Sequence, residues 1–434
     1  MSRFFSLLSL LPLFLYLLIT EGNLSLSHQV APAAGNPQGL VTENLFLYGT
    51  VYLLALLLFF LPRSGNSRTV LRQNSLPFLL LLIYMLSGLL WTLSPLSVLK
   101  ETVHFAGIIL IGAVAAESSK KQPMLFFSTL FAFALMLVIL SIVAALYFPQ
   151  VGVGINGRWQ GVTSHPNHLG ITCLVGTFAA TSLICLGKNF LWWKIPYFFT
   201  LILFFFCLLK ADSKTSLLLS LGVVAVIPLC ITILRASRIS VAVFRISIFY
   251  VIAGIIVFLM SVLDPDLLTM DSFFNAIGRS RTLTGRLDLW ASGWQAFLER
   301  PLLGWGFDNL FTLSTLSPAR IQYGQFHNGY LDLLVRGGMI AVLLFLYLWF
   351  KLSVNLLKGS KNDREPAIVM FILAAVVLLH NLTETSFMQF PNTLWALIIY
   401  IYFAAIPLRR AARCQTPSPG PLSGLQEKEC FFSS

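Results

Sequence analysis

Phe326-His-Asn-Gly-Tyr-Leu-Asp-Leu-Leu-Val-Arg-Gly-Gly-Met-Ile-Ala341 is the stretch on which the reading of this chain turns. It begins polar, with His327 and Asn328, and passes within a few residues into an apolar run that continues to Phe350. That is the signature of a loop re-entering a membrane-spanning helix. His327 at the entrance is the one kind of side chain that ordinarily titrates near neutrality. Arg336 lies two to three turns inside the span. A buried arginine is costly there and needs a partner. Asp332, four residues earlier on the same helical face, is the obvious mate, and that pair alone accounts for Arg336.

The rest of the chain agrees with a membrane setting. Of 434 residues, 57% are hydrophobic and only 11% charged, and the mean hydropathy is +0.82. Apolar runs near the ~20 residues that cross a bilayer fall at 4–20, 45–62, 76–93, 103–116, 124–148, 168–187, 191–209, 215–234, 244–263, 328–350, 366–380 and 392–408. The run at 103–116 is short, and its helix is expected to begin earlier. The N-terminal run imitates a signal peptide but is long enough to span, so it reads as the first helix. The expected fold is an all-α polytopic membrane protein of about twelve spans with one large loop. Its parts are nine spans over 1–263, the loop at 264–326, three spans over 327–408, and a Pro-, Ser- and Gly-rich tail at 409–434.

The net charge of +12 does not read as a nucleic-acid signal, because most basic residues punctuate the apolar runs as topology determinants do. Arg63, Arg68, Arg72, Lys120, Lys121, Lys188, Lys194, Arg235, Arg238, Lys351, Lys358, Arg409 and Arg410 fall in alternate connections. These connections are expected in the cytoplasm, with both termini. Arg158, Lys210, Lys214 and the five arginines of the 264–326 loop break that rule on the outer face. An anionic ligand is the simplest compensation. The six cysteines form no CxxC or CxxH pair, so neither a disulfide framework nor a zinc site is expected.

Several outer-face groups carry candidate chemistry. Arg158, in Asn156-Gly-Arg-Trp-Gln-Gly161, offers a planar fork of donors to a phosphate; the alternative is a turn whose arginine meets lipid headgroups. Arg279, Arg281 and Arg286 lie within eight residues and read as phosphate contacts, to substrate or to lipid. Arg286 opens a helix on which Leu287, Trp290, Trp294 and Phe297 recur at helical spacing until Pro301. This helix is expected to lie in the membrane interface with both Trp rings at headgroup level. His327 reads as a general base or phosphate donor, or as a structural cap of the next helix together with Asn328. Lys210, Asp212 and Lys214 form an internal ion pair or a second phosphate contact. Glu384, in His380-Asn-Leu-Thr-Glu384, orients a sugar hydroxyl or neutralises an arginine. His165 and His168 flank a proline without a nearby carboxylate, so no metal is expected there.

From Thr284-Gly-Arg286 through Leu289-Trp290 and Pro301-Leu-Leu-Gly304-Trp-Gly306 to His327-Asn328, the chain resembles the O-antigen ligase and polymerase superfamily of bacterial inner-membrane glycosyltransferases. Gly157-Arg158 and His165-Pro-Asn167 resemble the corresponding earlier loop. In the ligases His-Asn is followed by nine residues, Gly, two residues, and Gly, Thr or Tyr. Here Gly338 takes its place, while the last position is Ala341. The resemblance implies a C-type glycosyltransferase fold and an undecaprenyl-diphosphate-linked glycan donor, with no nucleotide sugar, metal or other cofactor. It implies catalytic roles for His327, Arg286 and Arg158, working at the periplasmic face with inversion. Arg279, Arg281, Asn328, Arg336, Lys214 and Glu384 become candidate substrate contacts. The acceptor is lipid A-core for a ligase, or another lipid-linked or exopolysaccharide chain for a polymerase. Expected partners are these glycans and membrane lipids, and no nucleic acid. A secondary transporter or lipid-glycan flippase is the competing class. Transporters tend to show internal repeats and midplane charges, whereas here the charges gather on one face, Arg336 excepted.

Overall fold

The computed structural model describes residues 2–22, 41–61, 74–92, 94–119, 122–154, 157–187, 191–236, 286–307, 325–359 and 364–405. Of the twelve expected spans, 244–263 lies outside them, and each of the others falls on a helix. The helices are α1 (Ser2–Glu21), α2 (Val41–Phe60), α3 (Leu76–Ser87), α4 (Pro95–Ser119), α5 (Pro123–Tyr147), α6 (Pro166–Leu186), α7 (Ile195–Ala211), α8 (Lys214–Ala236), α9 (Arg286–Glu299), α10 (Gly329–Gly359), α11 (Arg364–His380) and α12 (Thr393–Ala404). Among the described residues no strand forms, only the isolated bridges Gly22–Thr163 and Val153–Trp159. Among the described residues seven helices (α1, α4, α5, α6, α7 with the turn before it, α8 and α10) are long and apolar enough to cross a membrane; α2, α3 and α12 carry shorter apolar stretches. The chain is an all-α polytopic membrane protein.

Two helices form its centre. α6 is buried along nearly its whole length and packs against α5, α7 and α8. Its sequence explains this: Gly, Ala, Ser, Thr and Cys recur along it and let neighbouring backbones approach, the usual device where lipid offers no hydrophobic drive. Thr172 and Ser182 return their hydroxyls to His168 O and Phe178 O four residues back, at 3.0 and 2.6 Å. α12 is apolar all round and buried all round, as expected of a core helix. Its Tyr400 ring stacks on Phe126 of α5 at 3.8 Å. At one end of the bundle Arg235, closing α8, donates to Glu365 Oε1 and Oε2 of α11 at 2.9 and 2.8 Å. The candidate polar groups meet at the other end.

α10 is not continuous. Gly338 has φ 60° and ψ −166°, a left-handed break inside a membrane helix. The segment Pro301–Gly306 docks into it. Trp305 N and Gly306 N donate to Val335 O and Arg336 O at 2.9 and 2.8 Å. Met339 N and Ile340 N donate to Pro301 O and Leu302 O at 2.8 and 3.3 Å. Tyr84 Oη of α3 lies 2.7 Å from Gly337 O and 2.9 Å from Leu303 O and shares its hydrogen between them. A Cβ at Gly338 would run into Leu302 O, and one at Gly304 into Arg336 O. The Pro-Leu-Leu-Gly-Trp-Gly and Gly-Gly motifs are therefore two halves of one joint. Ala341, fully buried, is kept small by the same joint, since a Cβ at Gly337 would meet its methyl.

α9 departs from expectation in its setting. Its Ala296 and Phe297 pack with Leu331 and Val335 of α10 and with Phe326. Trp290 turns into the protein and donates Nε1–H to Phe326 O at 2.9 Å; Trp294 is the ring left half exposed. The helix is a bracket on the start of α10 rather than a raft with both Trp rings at the headgroups. The periodicity announced a helix but not which neighbour would take its apolar face.

Gly338→Ala is expected to combine backbone strain with a collision and to cost about 2–5 kcal/mol. Gly222→Ala, where a Cβ meets nothing within 4 Å, serves as the matched control. Thermal unfolding in detergent should show a clear fall in midpoint for the first and none for the second.

Candidate active site

Four loops converge at one end of the bundle: 153–165, Asp212–Ser213 between α7 and α8, 325–328 before α10, and 381–392 between α11 and α12. Gly22 at the end of α1 joins them by its bridge to Thr163. Gly329 N donates to Asn381 O and Glu384 O at 2.8 and 3.2 Å. A Cβ on Gly329 would collide with Asn381 Oδ1, which explains the glycine after His-Asn. Asn381 Oδ1 in turn accepts from Ser386 N and Phe387 N at 2.7 and 3.0 Å, fixing the loop that carries Glu384.

His327 is held in a backbone conformation that non-glycine residues rarely take, φ 50°. Such a residue costs on the order of 1–3 kcal/mol and persists only where its surroundings over-determine it. Here they do. Phe326 N donates to Asp332 Oδ1 at 2.9 Å, Trp290 Nε1 donates to Phe326 O, and Asn328 Oδ1 caps α10 by accepting from Tyr330 N and Leu331 N at 3.1 and 3.2 Å. The ring is therefore aimed by its backbone.

His327 Nδ1 lies 3.1 Å from Glu384 Oε2, with the two side chains 23% and 12% exposed. An ionised carboxylate can only accept, so the hydrogen of this contact sits on Nδ1. Gln325 Nε2 approaches the same Nδ1 at a longer 3.4 Å, and Gln325 Oε1 accepts from Gln389 Nε2 at 3.3 Å. Glu384 is shared: its Oε1 accepts from Asn167 Nδ2 at 3.0 Å. Asn167 Oδ1 accepts from Arg158 Nη2 at 2.9 Å. Arg158, Asn167, Glu384 and His327 thus form one unbroken chain from four elements. Arg158 also ties down the end of α7, donating from Nε to Ala211 O at 2.9 Å and from Nη2 to Asp212 O at 3.2 Å. Its Nη1 makes no hydrogen bond to the described residues.

Residues 199–346 match the O-antigen ligase family. The exopolysaccharide production protein ExoQ of Rhizobium meliloti (strain 1021) is 26% identical over 273 residues, 59% of this chain. The match spans 60% of that relative's length. Both likenesses are to the O-antigen ligase and polymerase superfamily, each over part of the chain. The family match covers most of α7 through the break in α10, including Lys214, α9, His327 and Arg336. Arg158, Asn167 and Glu384 lie outside it, and the fold brings them back to it.

The other expected groups are placed as follows. Arg286 is the first residue of α9, and Arg279 and Arg281 lie outside the described residues. Lys214 opens α8 beside Thr215, whose Oγ1 lies 2.8 Å from Thr383 Oγ1, next to Glu384. Lys210 sets its Nζ 5.8 Å from both the Trp159 and Phe206 rings. Arg336 is buried in α10, with Asp332 near enough for their charges to interact. Among the described residues Asp332 Oδ2 and Arg336 Nε meet no hydrogen-bond partner. Asp332 spends its other oxygen on the His327 loop, which is a use beyond the charge partnership expected of it. In the sequence Gln325 and Gln389 carry no mark, and Asn167 stands out only within the His165-Pro-Asn167 likeness. Asn167 meets Glu384 across 217 residues and Gln389 meets Gln325 across 64, so nothing local marks those pairings.

His165 caps α6, its Nδ1 accepting from Asn167 N at 3.1 Å. Burial, then neighbouring His168 and Arg158, lowers its imidazole below the ordinary histidine value, with Glu384 opposing. The bond needs the neutral ring. A histidine lowered in the folded state contributes stability above its unfolded pKa and loses it as pH falls through the folded value. His165→Ala should therefore cost about 1 kcal/mol near pH 8 and less near pH 5, read as the difference in thermal midpoint at the two pH values.

Proposed function

We propose that this protein transfers a glycan from an undecaprenyl-diphosphate carrier to an acceptor hydroxyl at the periplasmic face of the bacterial inner membrane. The observation that carries the reading is the Arg158–Asn167–Glu384–His327 chain, within a superfamily whose matched description is O-antigen ligase. His327 Nε2 takes the proton from the acceptor hydroxyl. Glu384 holds the ring's tautomer and offsets the charge that forms on it, and Asn167 keeps Glu384 in place. The acceptor oxygen attacks the anomeric carbon with inversion, and the bonding pair of the old C–O bond leaves with the diphosphate. Arg158 Nη1, with Arg286 and Arg279 or Arg281, stabilises the charge that grows on the leaving oxygen. Diphosphate is already a good leaving group, so no added metal is required in this scheme. Lys214, Asn328 and Arg336 border the substrate.

Two acceptors fit the same chemistry. A ligase, the description of the matched family, would take lipid A-core as its acceptor. The name of the relative ExoQ, an exopolysaccharide production protein, favours a polymerase that extends a second lipid-linked chain.

The test uses purified wild type, His327→Ala and Glu384→Gln with an undecaprenyl-diphosphate-linked oligosaccharide, in EDTA and without nucleotide sugar. Lipid A-core is added to half the samples, and products are resolved on gels. Wild type should form covalent product, His327→Ala about 10²–10⁴-fold less, and Glu384→Gln an intermediate amount. Product on lipid A-core marks a ligase, and longer lipid-linked chains without it mark a polymerase. Donor bound by wild type with no product in any sample would sink the reading and favour transport.

A further inference from the structure

A second histidine–glutamate pair stands on the other side of Asn167. His168 Nδ1 lies 2.8 Å from Glu21 Oε2. The glutamate ends α1 and the histidine sits in the first turn of α6. The scheme above gives the pair nothing to do, since one base suffices for one hydroxyl and His327 supplies it. We infer that His168, as an imidazolium balanced by Glu21, contacts the donor diphosphate beside Arg158. The inference rests on the glycan-transfer reading and adds a substrate-contacting residue to it.

Burial supplies the first argument. Glu21 is 1% exposed, whereas the His168 side chain keeps 37% of its surface open. A carboxylate sealed that deeply needs a counter-charge and hydrogen bonds, and His168 is the ring bonded to it. Direction supplies the second. Nδ1–H is spent on the carboxylate, which leaves Nε2–H as the donor of a ring that remains partly open. Position supplies the third. His168 follows Asn167, which binds both Arg158 and Glu384, and His168, Arg158, Glu384 and His327 all act electrostatically on His165. The groups share one neighbourhood.

Charge decides the role. Among the described residues the carboxylates of Glu21, Asp212 and Glu384 offset the cations of Arg158, Lys210 and Lys214 around this corner. With neutral histidines it has no net positive charge to offer a diphosphate, and charging His168 supplies one. In the transfer step Nε2–H donates to a non-bridging phosphoryl oxygen and stays on the ring. The acceptor's proton goes to His327, and the electron pair of the broken C–O bond goes to the diphosphate.

The experiment uses the full chain in lipid nanodiscs as wild type, His168→Gln, Glu21→Gln and His327→Ala. Binding of undecaprenyl diphosphate, the donor's kcat and KM, and the thermal midpoint are measured for each, with binding read well below the midpoint. Both Gln variants keep a polar partner in the pair but remove its charge. Each should weaken undecaprenyl diphosphate binding about tenfold and raise the donor KM, while His327→Ala loses turnover and binds as wild type does. If both Gln variants bind like wild type, whatever their midpoints, the pair is only a tie between α1 and α6 and the inference is overturned. Wild type that transfers glycan while the Gln variants behave normally removes His168 alone. Wild type that neither binds undecaprenyl diphosphate nor transfers removes the glycan-transfer reading, and His168's role with it.

Discussion

A helix broken inside a membrane must find new partners for every backbone group the break releases, because hydrocarbon supplies none. The break at Gly338 is the constraint on which the working end of this molecule depends. It frees the carbonyls of Val335, Arg336 and Gly337 and the amides of Met339 and Ile340. Each is taken up by Pro301–Gly306 or by Tyr84. The repair is specific: it needs a left-handed glycine on both sides and a phenol at a fixed depth on α3. It also locks the segment after α9 to the middle of α10, so that α9 cannot leave the start of α10.

That lock reaches His327. α9 presents Trp290 to Phe326 O, and the first turn of α10 presents Asp332 to Phe326 N. One residue is gripped on both its backbone groups, and the next is thereby held in a left-handed conformation. A histidine on an ordinary helix would share its direction with the helix. This one is set by side chains from two elements and so can face Glu384 across a loop. Asp332 serves two ends here, positioning the loop with one oxygen and meeting the charge of Arg336 within the buried part of the helix.

The helices were legible because hydropathy over some twenty residues is a strong local signal. The helix predicted at 103–116 extends back to Pro95, since Lys100 and Glu101 dilute the hydropathy without disturbing the helix. The arginines and His327 stood out as polar groups where apolar ones were due. What the sequence hid was pairing. Glu384 meets His327 across 57 residues and Asn167 across 217, and Glu21 meets His168 across 147. The absence of a nearby carboxylate counted against His168 as a ligand, yet one arrives from the far end of the chain. Trp290 shows the same limit on a smaller scale, since amphipathic spacing fixes a helix and leaves its partner open.

An interrupted membrane helix is also a hallmark of transporters, where the freed backbone groups line a cavity and coordinate the cargo. The use made of the break separates the two cases. In this protein the freed carbonyls of Val335, Arg336 and Gly337 and the amides of Met339 and Ile340 are taken up internally by the 301–306 segment and Tyr84 rather than turned toward a passing solute. The candidate polar groups lie instead at one end of the bundle: the Arg158 guanidinium, the His327 ring beside Glu384, and a half-open His168. A break satisfied within the fold acts as a brace, and a brace suits a site that must hold two substrates still more than one that must open alternately to both sides. The geometry of α10 thus weighs with the superfamily match toward chemistry at a fixed face and away from alternating access.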